Sequence, residues 1–231
     1  RVVGGPGRLP MLTVVKSHEQ LAQELAAEAS TVMLLGALDT GKTTLARRIA
    51  RAATAAGRVV GMVDADVDNS TIGPPTCVGM RLLKDPEQVD EIAPADALHF
   101  VGTLSPSRLV LQQVIATASL VEWAREAGAD LVVIDTTATV SGVAGETLKY
   151  HKMELCRPDL VVGLQRGAEL APLVGMLERF FSAEVLVAEP NPDVPNPSPT
   201  DRSDRLRAAL AARLGGSMER WRVRPTVFAP T

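Results

Sequence analysis

The chain has 231 residues and a mass of 24.5 kDa, enough for one large domain and short for two. With 46% hydrophobic and 22% charged residues it has the balance of a globular protein, which excludes disorder as the main state. A formal net charge of −3 excludes a global basic footprint for duplex DNA. No apolar run reaches the roughly 18 residues of a membrane span, and no basic-then-apolar leader is seen; a cytoplasmic protein without a membrane partner is expected. Cys77 and Cys156 form neither a C-x-x-C pair nor a cluster with His18, His99 and His151, so two buried free thiols are expected.

In chain order, residues 1–30 read as an N-terminal extension with a helix over 17–29. Thr31–Gly36 is a short apolar run, a buried strand. Leu45, Ile49, Ala52, Ala53 and Ala56 then recur at helical spacing, with Gly57 as the stop. Residues 59–63 form a second buried strand that ends at Asp64. A polar loop over 66–75 carries Gly73-Pro74-Pro75. Residues 98–101 read as a third buried strand, ending at Gly102, and Leu111, Val114, Ile115, Ala118 and Val121 mark the next helix face. Strands follow at 131–134, ending at Asp135, at 160–164 and at 185–188. Trp123 and the pair Phe180-Phe181 are expected in the core. Residues 190–199 hold five prolines and predict a stiff hinge. An arginine-rich helix over 201–214 and an edge strand over 221–228 complete the chain. Continuous apolar strands separated by helices predict an α/β fold with a mostly parallel sheet covered on both faces. The core spans 31–190; hinge, helix and edge strand over 191–231 are part of the same domain. Ligands in such sheets sit at the carboxyl ends of the strands, where Gly36, Asp64, Gly102 and Asp135 fall.

Gly36-Ala-Leu-Asp39-Thr40-Gly41-Lys42-Thr43 matches G-x-x-x-x-G-K-[ST] between a strand and a helix. Glycines let backbone N–H groups converge on phosphates, and the helix N-terminus adds positive potential. Lys42 reaches the β- and γ-phosphates, and the Thr43 hydroxyl ligates Mg²⁺. ATP and Mg²⁺ are therefore the expected cofactors, held by Gly36, Asp39, Thr40, Gly41, Lys42, Thr43 and Thr44. No guanine-reading N-K-x-D motif accompanies the loop. The second strand runs into Asp64-Ala-Asp66-Val-Asp68. Mutual repulsion makes such a cluster costly without a metal, a cation or a proton. Two readings stay open: a solvated acidic loop, or metal ligation with a base for a hydroxyl proton.

Several motifs now align in order. Asp39 stands two positions before Gly41-Lys42; Asp64-Ala-Asp66-Val-Asp68-Asn69 leads into Gly73-Pro74-Pro75; Phe100-Val-Gly102-Thr-Leu-Ser105-Pro106 follows; then come Asp135-Thr136-Thr137, Gly145 with Leu148-Lys149, and Pro158-Asp159. In these the chain resembles, over roughly residues 31–215, the phosphate-loop polynucleotide 5′-hydroxyl kinases of RNA processing. Asp68 and Asn69 stand where that family has glycine and glutamine, and Ala138 where a glycine is frequent.

The resemblance implies transfer of the γ-phosphoryl group of ATP to the 5′-hydroxyl end of single-stranded RNA, with DNA left open as acceptor. It implies Lys42 on the phosphates, Asp66 as general base, Thr43 with Asp64 or Asp135 at the metal, and Thr136 toward the γ-phosphate. Arg202, Arg205 and Arg207 match a lid helix whose arginines cover the phosphates; the other reading of that helix is a solvated surface of alternating charge. Trp221, among Arg220, Arg222 and Arg224, is a candidate for capturing the acceptor end, or an edge-strand side chain on the core. Three alternatives complete the set: an ATPase switch or metallochaperone acting on a protein partner, a non-catalytic ATP-binding relative, and a small-molecule kinase.

Overall fold

A computed structural model describes residues 12–13, 17–190 and 198–214. The helix α1, His18–Glu28, starts at a capping box in which Ser17 and Gln20 satisfy each other's backbone N–H groups. It packs on α2, Lys42–Ala55, which follows the strand β2, Thr31–Gly36. The strand β3 is Val60–Ala65, the helix α3 Val110–Glu126, and the strand β6 Leu131–Thr136. The helix α4, Gly142–Cys156, leads to β7, Leu160–Leu164; α5, Ala171–Phe180, to β8, Glu184–Ala188; and α6 is Pro199–Leu214. A two-residue strand β1, Leu12–Thr13, pairs with β8.

Two further strands, β4 (Cys77–Leu83) and β5 (Ala97–Phe100), complete a sheet of order β1-β8-β7-β2-β6-β3-β4-β5. All pairs are parallel except β3–β4 and β4–β5. One face packs on α1 and α2 through Leu21, Leu25, Leu45 and Ile49. The other packs on α3, α4 and α5 through Leu120, Val121, Met153, Leu173 and Leu177. β2, β3 and β6 are buried at every position, as strands covered on both faces must be.

The structure corrects the sequence reading at the sheet's edge. β4 went unread, because Cys77-Val-Gly-Met-Arg-Leu-Leu83 follows a proline turn and carries an arginine and a glycine. The strand expected at 98–101 is no buried strand: β5 is the edge, with Leu98 49% and Phe100 73% exposed. An apolar run of four does not reveal whether both its faces are covered. Two successive antiparallel pairings restore the direction of β3 in β5, so Gly102 does leave at the carboxyl edge. Phe180 and Trp123, expected in the core, are 60% and 40% exposed, while Phe181 packs against Tyr150 and the core. Cys77 and Cys156 are buried free thiols. The hinge residues 191–197 and the expected edge strand over 221–228, with Trp221 and its arginines, lie outside the described residues.

Gly79 of β4 couples the edge to the centre. A Cβ there would stand 1.8 Å from the carbonyl oxygen of Ile72. Any side chain therefore pushes the 66–76 loop away from β3. Gly79→Ala is expected to cost about 1–3 kcal/mol through overpacking, whereas Gly175→Ala, in α5 with nothing within 4 Å of its Cβ, is expected to be neutral or stabilising by up to about 1 kcal/mol. Urea unfolding of the two variants checks both.

Candidate active site

The turn from β2 to α2 brings residues 36–43 to the carboxyl edge, between β7 and β6. Gly36 admits no side chain: a Cβ would lie 2.5 Å from Thr40 Oγ1 and 2.8 Å from the Leu164 carbonyl oxygen. Thr40 Oγ1 donates to Ala37 O at 3.0 Å. Lys42 is buried, and its Nζ donates to Gly36 O and Ala37 O at 2.9 Å each. Burial lowers its pKa, against the charges of Asp135, Asp66, Asp39 and Asp68. Thr43 and Thr44 lie half-buried on the first turn of α2, after Gly41 at its N-cap.

The second group comes from β6 and β3. Thr43 Oγ1 donates to Asp135 Oδ2 at 2.5 Å. Asp135 is buried, and its Oδ1 has no hydrogen-bond partner. Burial, then the neighbouring Asp64 charge, raises this carboxyl to about 7, against Lys42 and the Thr43 hydroxyl. Asp64 is also buried and turns into the 66–76 loop. It accepts from the backbone N–H groups of Asp66, Thr71 and Ile72 and from the hydroxyls of Ser70 and Thr71. Burial, then Asp66, raises its pKa, and those backbone donors oppose the shift. Asp66 is half-buried and keeps one enclosed, unpartnered oxygen, Oδ1. Asp68 faces solvent over much of its surface, but desolvation of its carboxyl, then its hydrogen bond to Asp66, raises it to about 8. Among the described residues no three His, Cys, Asp or Glu side chains converge as a metal cage.

Beneath these carboxylates lie two buried lysines to which the sequence reading gave no role. Lys149 Nζ donates to Thr136 Oγ1 and Thr137 O at 2.7 Å and to Thr137 Oγ1 at 3.1 Å. Lys152 Nζ donates to Ala65 O at 3.3 Å. Burial takes Lys149 well below the ordinary lysine value and Lys152 to about 8. Their signal was in the sequence: Gly145, Lys149, Lys152 and Cys156 share one buried stripe of α4 with Leu148 and Met153. Thr136 is buried; it donates to Leu34 O at 2.7 Å and accepts from Lys149.

Of the arginines on α6, Arg202 reaches the phosphate loop: its Nη1 lies 2.8 Å from Asp39 Oδ2. Arg207 pairs with Asp204 on its own helix, and Arg205 is exposed. Arg166, after β7, was not singled out from the sequence; it donates to Leu38 O and Asp39 O. Asp39, which both arginines meet, has φ +56, a left-handed conformation that aspartate tolerates better than most residues.

Asp135 supplies a stability signature. The folded chain keeps its proton up to about pH 7, whereas the ordinary value is 3.8. Its contribution is full below about pH 4 and is lost as pH rises to about 7. Asp135→Asn is therefore expected to gain stability relative to the parent chain between pH 5 and pH 8. Urea unfolding at both values checks the sign.

The sequence profile of the family described as mRNA cleavage and polyadenylation factor CLP1 P-loop matches residues 36–211. A polyribonucleotide 5′-hydroxyl-kinase of Pyrococcus horikoshii is 36% identical over 146 residues, 63% of this chain and 40% of that protein. Its counterpart in Thermococcus kodakarensis is 36% identical over 161 residues, 69% of this chain and 45% of that protein. The chain thus spans less than half the length of these relatives. Among solved structures, the Clp1p–Pcf11p complex matches with a TM-score of 0.65 at 11% identity, over 87% of this chain and 53% of that one. A second Clp1p structure with Pcf11p gives 0.67 at 12% identity, with the same coverage. At these identities the two structures speak to the fold alone.

Proposed function

The chain belongs to the CLP1 P-loop family, and on that premise we propose that it is an ATP-dependent polynucleotide 5′-hydroxyl kinase acting on RNA ends, with DNA ends as the second acceptor to test. The observation that carries this reading is Asp66. It stands directly after β3, close enough for its charge to act on Lys42, with an enclosed carboxylate oxygen that no protein group satisfies. A carboxylate with a free oxygen beside the phosphate loop can take the proton of an incoming hydroxyl.

In this mechanism Asp66 takes the proton of the 5′-hydroxyl. The freed oxygen forms a bond to the γ-phosphorus as the bond to the β–γ bridging oxygen breaks, and ADP leaves. Lys42 stabilises charge on the β- and γ-oxygens. Thr43 and Asp135 fit a Mg²⁺ site: a hydroxyl and a carboxylate meet at 2.5 Å, and Asp135 Oδ1 lacks any protein donor. One or two protein ligands plus phosphate oxygens and water is the usual set for this ion. When bound, Mg²⁺ supplies charge neutralisation at the phosphates. Asp64, its oxygens taken by loop donors, is assigned to hold Asp66 in place instead of the ion. Thr136, locked by Leu34 and Lys149, is assigned the same supporting part. Of the three lid arginines we choose Arg202, because it touches the phosphate loop through Asp39. Two buried free thiols support a reducing, cytoplasmic setting.

With γ-labelled ATP, Mg²⁺ and a 5′-hydroxyl oligoribonucleotide, label is expected on the oligonucleotide end. Lys42→Ala or chelation of Mg²⁺ is expected to abolish transfer. Arg202→Ala is expected to lower kcat by at least about 10²-fold, in line with arginines that stabilise phosphoryl transfer, and Arg207→Ala to stay within about threefold. Release of free phosphate with no labelled oligonucleotide would move the assignment to an ATPase switch.

A further inference from the structure

Aromatic residues make up only 3% of the chain, so the position of each exposed ring carries information. Among the described residues, Phe100, Phe180 and Trp123 are more than a third exposed. Trp123 lies near the C-terminal end of α3 and Phe180 at that of α5. Both helices run back from the carboxyl edge, so these two rings stand at the opposite end of the sheet from the phosphate loop. Phe180 also has company, from Tyr150 and the Arg179 guanidinium. Phe100 ends β5 at the carboxyl edge, is 73% exposed, and has no ring partner among the described residues.

The strand register relates Phe100 to Asp66. Asp64 lies opposite Gly79, and Gly79 opposite Leu98. Two residues further toward the carboxyl edge, Cys77 lies opposite Phe100, and Asp66 likewise stands two residues beyond Asp64. Residues in register across a sheet share a face, so Phe100 and Leu98 project on the side of the sheet that carries Asp64. Two strand spacings, about 10 Å, separate the β3 line from the β5 line, a distance that the sugar and base of a terminal nucleotide or two can cover.

The ring is also supported. A Cβ on Gly102, whose φ is +87, would stand 3.3 Å from the Phe100 ring, so backbone seats the ring edge where a side chain would displace it. Leu98 lies against Gly73, where a Cβ would be 2.4 Å from its Cδ2. Leu98, two residues before Phe100 on the same face of β5, thus meets the loop wound on Asp64. The segment after Gly102 exposes Ser107 and Arg108, groups suited to a sugar–phosphate backbone, beside the exposed Leu104, Leu109 and Leu111.

We propose that Phe100 is the stacking platform for a base near the 5′ end of the acceptor strand. This rests on the kinase reading above and adds the site that grips the polynucleotide. A π-face accepts every base, so the platform supplies affinity without sequence preference.

The test uses the 231-residue chain, with Phe100→Ala, Phe100→Trp and two acceptors, one of them with abasic sugars at the first two positions. Stacking on an aromatic ring is worth about 1–3 kcal/mol per base. Phe100→Ala is thus expected to raise the acceptor KM about 10-fold or more, leaving the affinity for ATP and the melting temperature unchanged. Phe100→Trp is expected to restore the KM. The abasic acceptor should bind the parent chain as weakly as the intact acceptor binds Phe100→Ala, and the variant should not weaken it further. Equal KM for parent and Phe100→Ala overturns the platform while leaving the kinase intact. A drop in melting temperature or a changed oligomeric state in Phe100→Ala also overturns it, and assigns the ring to a protein contact. If the parent transfers no label and binds neither oligonucleotide by fluorescence anisotropy, both readings fall together.

Discussion

Asp64 is a buried carboxyl group, and the loop after β3 is built to satisfy it. A buried carboxylate is costly unless donors surround it. Here three backbone N–H groups and two hydroxyls from residues 66–72 do so. Winding the chain around Asp64 fixes the path of the 66–76 loop, and that path requires Gly79 to lack a side chain. It also sets Asp66 at the mouth of β3 with one oxygen unengaged. The three carboxylates that alternate along Asp64-Ala-Asp66-Val-Asp68 therefore divide their work: one anchors the loop, one is left for chemistry, and one shares a hydrogen bond with the second.

Ionisable groups of both signs gather at this edge of the sheet. Lys42, Lys149 and Lys152 enter from two helices on opposite faces of the sheet; Asp64, Asp66 and Asp135 enter from two adjacent strands. α4 ties the ends of both strands, through Thr136 and Thr137 on β6 and its exit and through Ala65 on β3. Asp64 and Asp135 are thus held on strands, the rigid placement that the proposed transfer needs. The contact that reaches over the phosphate loop is different in kind. Arg202 comes from a helix at the far end of the sequence and meets Asp39 through an ion pair between partly exposed groups. Such pairs are weak, which is compatible with the lid role proposed for Arg202.

How much of this was legible in the sequence follows from where the signal was local. Gly36 to Thr43 declare a phosphate loop because strand, glycines, lysine and hydroxyl are contiguous. Buried strands such as Leu131–Thr136 declare themselves because both faces are covered. β4 did not, since its pattern is broken by Gly79 and Arg81, residues explained only by the loop and by the backbone carbonyls of Gln88 and Glu91 that Arg81 meets. The exposure of Phe100 was equally hidden, because edge position is a property of the whole sheet. Arg166 and Arg202 both converge on the phosphate loop from distant turns of the chain; composition hinted at the second and gave nothing for the first. The lysines of α4 were written in a helical stripe, yet lysine on an apolar stripe becomes meaningful only when the strands above it carry carboxylates.

The central claim is that Asp66 serves the acceptor hydroxyl and not the nucleotide. The most direct measurement is a paired one on Asp66→Asn: ATP affinity by calorimetry, and single-turnover transfer to a 5′-hydroxyl oligoribonucleotide. The account predicts ATP affinity within about threefold of the parent and transfer slowed by about 10²–10⁴-fold, the usual worth of a general base. Transfer at the parental rate, or loss of ATP binding in step with transfer, would contradict it.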